Sequence, residues 1–495
     1  MTTAANNLKK TLLCAAMAAA GLLSPAAATG QVTVSLRGDS VVSSGYLGNG
    51  VQWDPYQLDY GHGRMELSEA DIAKTYARLD FMKPGLVRMM INASSLADAQ
   101  GKESFDGSYR GLKPLLDYCQ TRRVNVVFGD WGGSLLNSRT KEIDKTNVRR
   151  VARFVKYLVD EKGYDCIRWF NFINEPNGDW SAADGDFDLW ADGMRETYTQ
   201  MKRAGVADKV KLMAPDVAIW EADNVWWVER TAAELGDIVN LYDIHTYPSK
   251  YTVNTNRYRD IIRAYRDRVP EGHKIIMGEI GLKYVAPEDN MLRELNELRA
   301  GAAPYASTAD SQMSVFDFSY GLDMADVMIQ TMQAGYSGTV AWMLDDSMHG
   351  NEAPDKLKTW GFWNIFGEEF FGAELEKVRP WFYAWSMLCA AVPQGSEVLA
   401  TESDSPGELK CTLARLDGKQ SLILLNISGR DLDVALQGLP TVATPGMKVF
   451  EYSRKSMFGL ESELSMPGVK ALDGDSLPAK LNVPAKSLVI ISNIM

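Results

Sequence analysis

The run Ile167-Arg168-Trp169-Phe170-Asn171-Phe172-Ile173-Asn174-Glu175-Pro176-Asn177 decides the fold. Its first seven residues, 167–173, form a short apolar run of the kind that reads as a buried parallel strand. A carboxylate follows directly behind it. Working outward, similar runs recur at 50–53, 86–91, 125–128, 211–214, 238–244, 274–277 and 338–343. Segments with helical periodicity separate them, among them 68–82, 148–161, 189–204 and 323–334, and Ser68 with Asp71 three residues on sets up a helix start. Eight strand–helix repeats predict an α/β fold, the (β/α)8 or TIM barrel. An open doubly wound sheet is the competing architecture, but no G-x-G-x-x-G follows the first strand.

The texture changes near Pro393. Short alternating segments follow at 409–416, 421–427, 432–436, 448–452 and 487–491, and Asp417-Gly418 between the first two is a tight-hairpin dipeptide. The chain therefore divides into a barrel over 29–392 and an antiparallel β-sandwich over 393–495. Alternation at 32–36, within 31–45, offers the sandwich one further strand. Trp381 and Trp385, on the last helix before the sandwich, are expected to pack between the domains.

Composition narrows the function. The 495 residues are 46% hydrophobic and 23% charged, with a net charge of −12 and no long basic run. Nucleic acid and anionic membranes are poor partners for such a surface, and a neutral substrate suits it better. Lys9 and Lys10, the apolar run 11–23 and the A-x-A site Ala26-Ala27-Ala28 read as a signal peptide over 1–28, which predicts a secreted or periplasmic protein. The apolar run is too short to span a bilayer, and no later stretch does so. Cys14 follows Leu13 rather than a small residue, which argues against lipidation. Cys119, Cys166, Cys389 and Cys411 form no C-x-x-C and read as buried thiols, with one bridge possible. The four histidines, His62, His245, His273 and His349, form no H-E-x-x-H, so no metal site is expected.

Reactive groups of a TIM barrel stand at the C-terminal ends of its strands. Strand four ends in Asn174-Glu175-Pro176, and strand seven ends in Ile276-Met277-Gly278-Glu279-Ile280-Gly281. A glutamate at a buried strand end is costly unless paired. One alone could be a structural ion pair, but two on strands four and seven face each other across the mouth. Glycoside hydrolysis needs such a pair: one carboxyl protonates the leaving oxygen, and the other attacks the anomeric carbon or activates water. That chemistry needs no cofactor, and its partner is an oligo- or polysaccharide.

Asn174-Glu175-Pro176 resembles the acid/base motif of clan A glycoside hydrolases, the superfamily of families 5, 30, 39 and 51. Gly278-Glu279-Ile280-Gly281 is similar to their strand-seven nucleophile motif. The resemblance implies that Glu175 is the acid/base and Glu279 the nucleophile of a retaining β-glycosidase. It extends to Arg88 on strand two, whose guanidinium would keep Glu279 ionised. His245 and Tyr247 alternate onto one face at the end of strand six. By resemblance Tyr247 would hydrogen-bond the nucleophile, and His245 would bind substrate or the acid/base. Trp342 on strand eight would form the floor under the sugar, and Asn174 would meet the substrate 2-hydroxyl.

One departure stands out. Many family 5 members carry a histidine after strand three, where this chain has Gly129-Asp130-Trp131; Asp130 or Trp131 occupies that space. The segment Asp345-Asp346-Ser347-Met348-His349 reads as a solvated loop, with calcium or sugar binding as the alternative. Trp53, Trp131, Trp180, Trp220, Trp226, Trp227 and Trp342 fall near strand ends or loops, where indole rings could line a glycan cleft or fill the core. Two rival functions are a non-catalytic glycan-binding protein on a degenerate barrel and an unrelated barrel enzyme. The survival of both carboxylates argues against the first. The second should show a strand-end lysine or a His/Asp ligand set, and neither is found.

Overall fold

A computed structural model describes residues 31–56, 66–351, 353–438, 445–472 and 476–495. The signal peptide expected over 1–28 lies outside them.

Eight parallel strands close into a barrel: Gly48–Gln52, Leu86–Ile91, Asn125–Asp130, Ile167–Asn171, Lys211–Ile219, Val239–Thr246, Lys274–Ile280 and Gly338–Ala341. In chain order these are the first to eighth barrel strands. Helices cover the outside, and the first shows how the sequence sets their ends. Ser68 accepts a hydrogen bond from the Asp71 N–H while the Asp71 carboxylate accepts one from the Ser68 N–H, a capping box opening helix Glu69–Met82. Helix Phe187–Ala204 starts on the Asp186 side chain and stops at left-handed Gly205.

The second domain is one curled nine-stranded sheet, a β-sandwich. Its order is Lys470–Ala471, Lys448–Tyr452, Ser487–Ser492, Lys419–Asn426, Leu409–Leu416, Glu397–Ser403, Val32–Ser43, Leu432–Gln437 and Lys480–Val483. Val32–Ser43, at the start of the described chain, runs antiparallel to Glu397–Ser403 and parallel to Leu432–Gln437; the other pairs are antiparallel. Asp417 and Gly418 are both left-handed, as a two-residue hairpin of primed type demands. Val34, Leu36, Leu413, Leu422, Leu424, Val434 and Val489 fill the core of this sheet.

Helix Trp381–Ala391 joins the two domains and is buried along its whole length. Trp381 stacks on Phe362, the Trp385 indole donates to the Gly50 carbonyl at 3.1 Å, and the Tyr383 hydroxyl donates to the Glu463 carbonyl at 2.9 Å. The four cysteines expected as buried thiols are buried and free. Among the described residues, no helix is long and apolar enough to cross a membrane.

Candidate active site

The barrel interior is built in layers. Leu86, Val127, Trp169, Met213, Leu241, Ile276 and Val340 form an apolar floor. Side chains point inward at every second residue of a strand, and two residues beyond this floor the sequence turns polar: Leu86 gives way to Arg88, Trp169 to Asn171, Leu241 to Asp243 and then His245. On the seventh strand the corresponding residue is Gly278. A Cβ there would lie 2.3 Å from the Asp243 carboxylate, so the absent side chain is what makes room for Asp243. The Gly278 N–H donates to that carboxylate at 3.1 Å. The register against the sixth strand then shifts between Met277 and Glu279. Gly281 has a similar role, because a Cβ on it would meet Trp360 at 2.8 Å and Tyr247 at 2.9 Å.

Glu279 is held by two donors. Arg88 Nη1 donates to Oε2 at 3.0 Å, and the Tyr247 hydroxyl donates to Oε1. Arg88 is fully buried and also donates to Gln52 Oε1 at 3.0 Å, Asn174 Oδ1 at 2.7 Å and Asp216 Oδ2 at 3.1 Å. Burial works against its charge, but Asp216 and Glu279 outweigh burial and keep the guanidinium charged.

Glu175 sits opposite with a left-handed backbone, φ 46°, and its N–H donates to the Asp216 carbonyl at 3.1 Å. Asp216 is left-handed too, φ 61°. A non-glycine residue in this region costs about 1–2 kcal/mol, a strain characteristic of functional sites. His245 Nδ1 lies 3.2 Å from Glu175 Oε1, and its Nε2 lies 3.0 Å from Asp216 Oδ1. The indole N–H of Trp180 donates to Glu175 Oε2 at 2.8 Å. One oxygen of Glu175, one of Glu279 and a His245 ring nitrogen all fall within 4.8 Å of one another.

The electrostatics follow from four carboxyls and two cations shut away together. Burial alone would lower His245, but Asp216 beside it holds the imidazole well above its ordinary value. Burial likewise opposes ionisation of Asp216, and Arg88 and His245 reverse this, leaving it below the usual carboxylate range. Asp243 is pushed up to about 8 by burial and by the charge on Asp216. Glu279 is raised by burial; His245, Arg88 and the Tyr247 phenol pull it back down, and Glu175 pushes it further up. Arg88 thus acts in the direction expected from sequence but does not prevail over burial.

Among the described residues, two groups of ligand atoms are tight enough for a cation, Glu175–His245–Glu279 and Asp216–Asp243–His245. The Arg88 guanidinium, bonded to Glu279 in one group and to Asp216 in the other, repels a metal ion from both.

Aromatic rings line the mouth. Trp342 meets Trp131 edge to face at 6.3 Å and stacks on His349 at 5.1 Å, while His349 Nε2 lies 2.7 Å from Asp54 Oδ2. Trp180 and Trp220 meet edge to face at 6.1 Å and are 57% and 43% exposed.

The structure departs from the sequence reading at Trp53 and at 345–349. Trp53 is not at the mouth: it is fully buried on the outer side of the barrel wall, edge-on to Tyr118 of helix Asp106–Arg122, because alternation turns Gln52 inward and Trp53 outward. The segment 345–349 is not a solvated loop. Asp346 is buried against Arg379 and accepts the N–H groups of Trp360 and Gly361, and Asp345 accepts from Tyr56 at 3.0 Å. Trp226 and Trp227 cluster with Phe187 and Trp190 on the outer helices, away from the glutamates. Behind the third strand, Trp131 faces Trp342, whereas Asp130 is buried, accepts the Gly132 N–H at 2.7 Å and is pushed up to about 7 by burial.

Sequence reasoning missed Asp216, which touches Arg88, His245 and Asn171. The fifth strand was expected to end at 214, before Pro215; it continues to Ile219 through a register shift between Pro215 and Val217. Gln52, Asn171 and Asp243 carried a signal that went unused, namely polar residues at inward positions of apolar strands.

No family model matches the sequence, and no curated protein matches it. The barrel with its attached sandwich is a fold shared with solved GH30 and GH39 structures. Among solved structures, the chain is similar to the catalytic domain of GH30 xylanase C from Talaromyces cellulolyticus, with a TM-score of 0.62 and 14% identity over 93% of this chain and 99% of that one. It is similar to a GH39 β-xylosidase from Caulobacter crescentus, with a TM-score of 0.58 and 14% identity over 93% and 99%. A conserved exported protein from Bacteroides fragilis aligns with a TM-score of 0.64 and 13% identity over 93% and 100%.

Proposed function

We propose that this protein is a retaining glycoside hydrolase acting on β-linked glycans, with Glu279 as nucleophile and Glu175 as acid/base. The observation that carries the reading is the short reach between the two glutamates, with an oxygen of each within 4.8 Å of the other. Carboxyls about 5–5.5 Å apart leave no room for an intervening water and favour direct attack, whereas inversion needs about 6.5–9.5 Å. The likeness to family 30 and family 39 structures supports the reaction class.

The two glutamates divide the work by their partners. Glu279, held by Arg88 and Tyr247, attacks the anomeric carbon and the C–O bond breaks. The departing oxygen takes a proton from Glu175. His245 Nδ1, 3.2 Å from Glu175 Oε1, is placed to exchange a proton with that carboxyl, and its Nε2 lies 3.0 Å from Asp216 Oδ1. In the second step Glu175 deprotonates water, which displaces Glu279 from the sugar. Exposed Trp180, bonded to Glu175, suits the leaving-group side, and Trp342 suits the face of the reacting sugar. A leader over 1–28 would deliver the enzyme to glycans outside the cytoplasm.

Glu279→Gln tests the assignment. The purified variant should keep its circular dichroism spectrum and melting profile and lose nearly all turnover of the best aryl β-glycoside found for the wild type. Turnover at the wild-type rate would remove Glu279 from the nucleophile role.

A further inference from the structure

Where barrel and sandwich meet, helices Arg257–Arg266 and Phe318–Gln333 face strands Glu397–Ser403 and Leu409–Leu416 across a cavity of about 320 Å³. Arg259, Arg263 and Lys410 line it. This is a concentration of positive charge on a chain whose net charge is −12. Among the described residues neither arginine side chain makes an ion pair or hydrogen bond, and the Arg259 Nε is shut off from solvent with no partner. Lys410 is buried, donates to Asn256 Oδ1 and lies 3.7 Å from Asp326 Oδ2. The carboxylate that lines the cavity, Glu402, is engaged by Arg37 at 2.8 Å. Three cations therefore surround the cavity, while the carboxylates nearest them, Glu402 and Asp326, are engaged by Arg37 and Lys410.

The strain of this arrangement can be read in its neighbours. Burial and the nearby Arg259 charge pull Lys410 below its ordinary value, against the attraction of Asp326. Burial pushes Asp326 up to about 6. Like charges gathered in a recess are costly unless an opposite charge joins them.

We propose that this interdomain cavity binds a compact tetrahedral oxyanion, a phosphate or a sulfate, which the Arg259 and Arg263 guanidinium groups grip while Lys410 supplies charge from the floor. Guanidinium forks match the oxygens of such groups and bond them in pairs. The cavity reaches the lower end of small-molecule sites, about 300 Å³, so an oxyanion carried on one sugar ring fits as well as the free ion. None of these residues touches Glu175, Glu279 or their partners, so the site stands or falls independently of the catalytic reading.

Isothermal titration of the full-length protein at constant ionic strength tests it, with inorganic phosphate, inorganic sulfate and glucose 6-phosphate as probes. The wild type should bind at least one probe saturably at one site per chain, and R263Q and R259Q should each weaken binding at least tenfold while aryl-glycoside turnover is unchanged. Arg263 is exposed, so R263Q leaves the packing intact even if R259Q does not fold. Tighter binding of the sugar phosphate would make the carried group the ligand, and tighter binding of inorganic phosphate or sulfate the free ion. Saturable binding of none of the three, or equal binding by wild type and R263Q, would overturn the proposal.

Discussion

Tyr247→Phe isolates one hydrogen bond to the nucleophile. The ring itself stays, because its edge-to-face packing on Trp360, 5.3 Å between centroids, needs no hydroxyl. What goes is the phenol's donation to Glu279 Oε1. Burial and the adjacent Glu279 charge hold the Tyr247 phenol well above its ordinary value, so in the wild type it donates across the whole assay range. That bond lowers the Glu279 pKa, and its loss must raise it. A hydrogen bond to a charged group contributes about 1.5–3 kcal/mol. One pKa unit corresponds to about 1.36 kcal/mol, so if the bond is made to the ionised form the shift is about one to two units upward. The nucleophile works only when ionised, so activity on the acid side should fall. The assay is kcat/KM against pH on an activated aryl β-glycoside, and the acid limb of the variant should lie above that of the wild type. An acid limb that stays in place, or moves down, would refute the claim that Tyr247 tunes the nucleophile.

Further outcomes follow from the same cluster. Asp243 keeps its proton up to about pH 8 when folded but ionises near about pH 3.9 when unfolded, so wild-type stability falls as pH rises between those values. Asp243→Asn removes that proton linkage, and its stability relative to wild type in urea denaturation should increase from pH 5 to pH 8; a constant difference would contradict the raised carboxyl. Glu175→Ala should slow glycosides with basic leaving groups far more than activated aryl glycosides, and added azide should restore turnover with a glycosyl azide as product. Equal losses on both substrates would remove the acid role.

Much of the barrel was legible because its strands are apolar on both faces and its helices are not, so the two periods alternate along the chain. Strand ends were harder. Pro215 resembles a terminator, yet the fifth strand passes through it at a register shift, and the missed extension carries Asp216. Trp53 was misplaced because composition locates an aromatic near a strand end without saying which face it takes. The segment 345–349 reads as solvent-exposed because its charge partner, Arg379, lies 33 residues further along the chain. The contact of Trp180 with Glu175, five residues away, depends on how the loop between them folds back, and the interior strand Glu397–Ser403 and the edge strand Lys480–Val483 carry too weak an alternation to stand out. Glu175, Glu279, Arg88, Asn174, His245 and Tyr247 were legible as candidates because polar residues in and just beyond apolar strands are conspicuous, and the fold gathers them into one network joined through Asp216.

The central claim is direct attack by Glu279, and the anomeric configuration of the first product reports on it. Proton NMR of the wild-type reaction on a β-linked substrate, recorded before mutarotation, should show the β-anomer first. An initial α-anomer would mean that water, not Glu279, attacks the sugar.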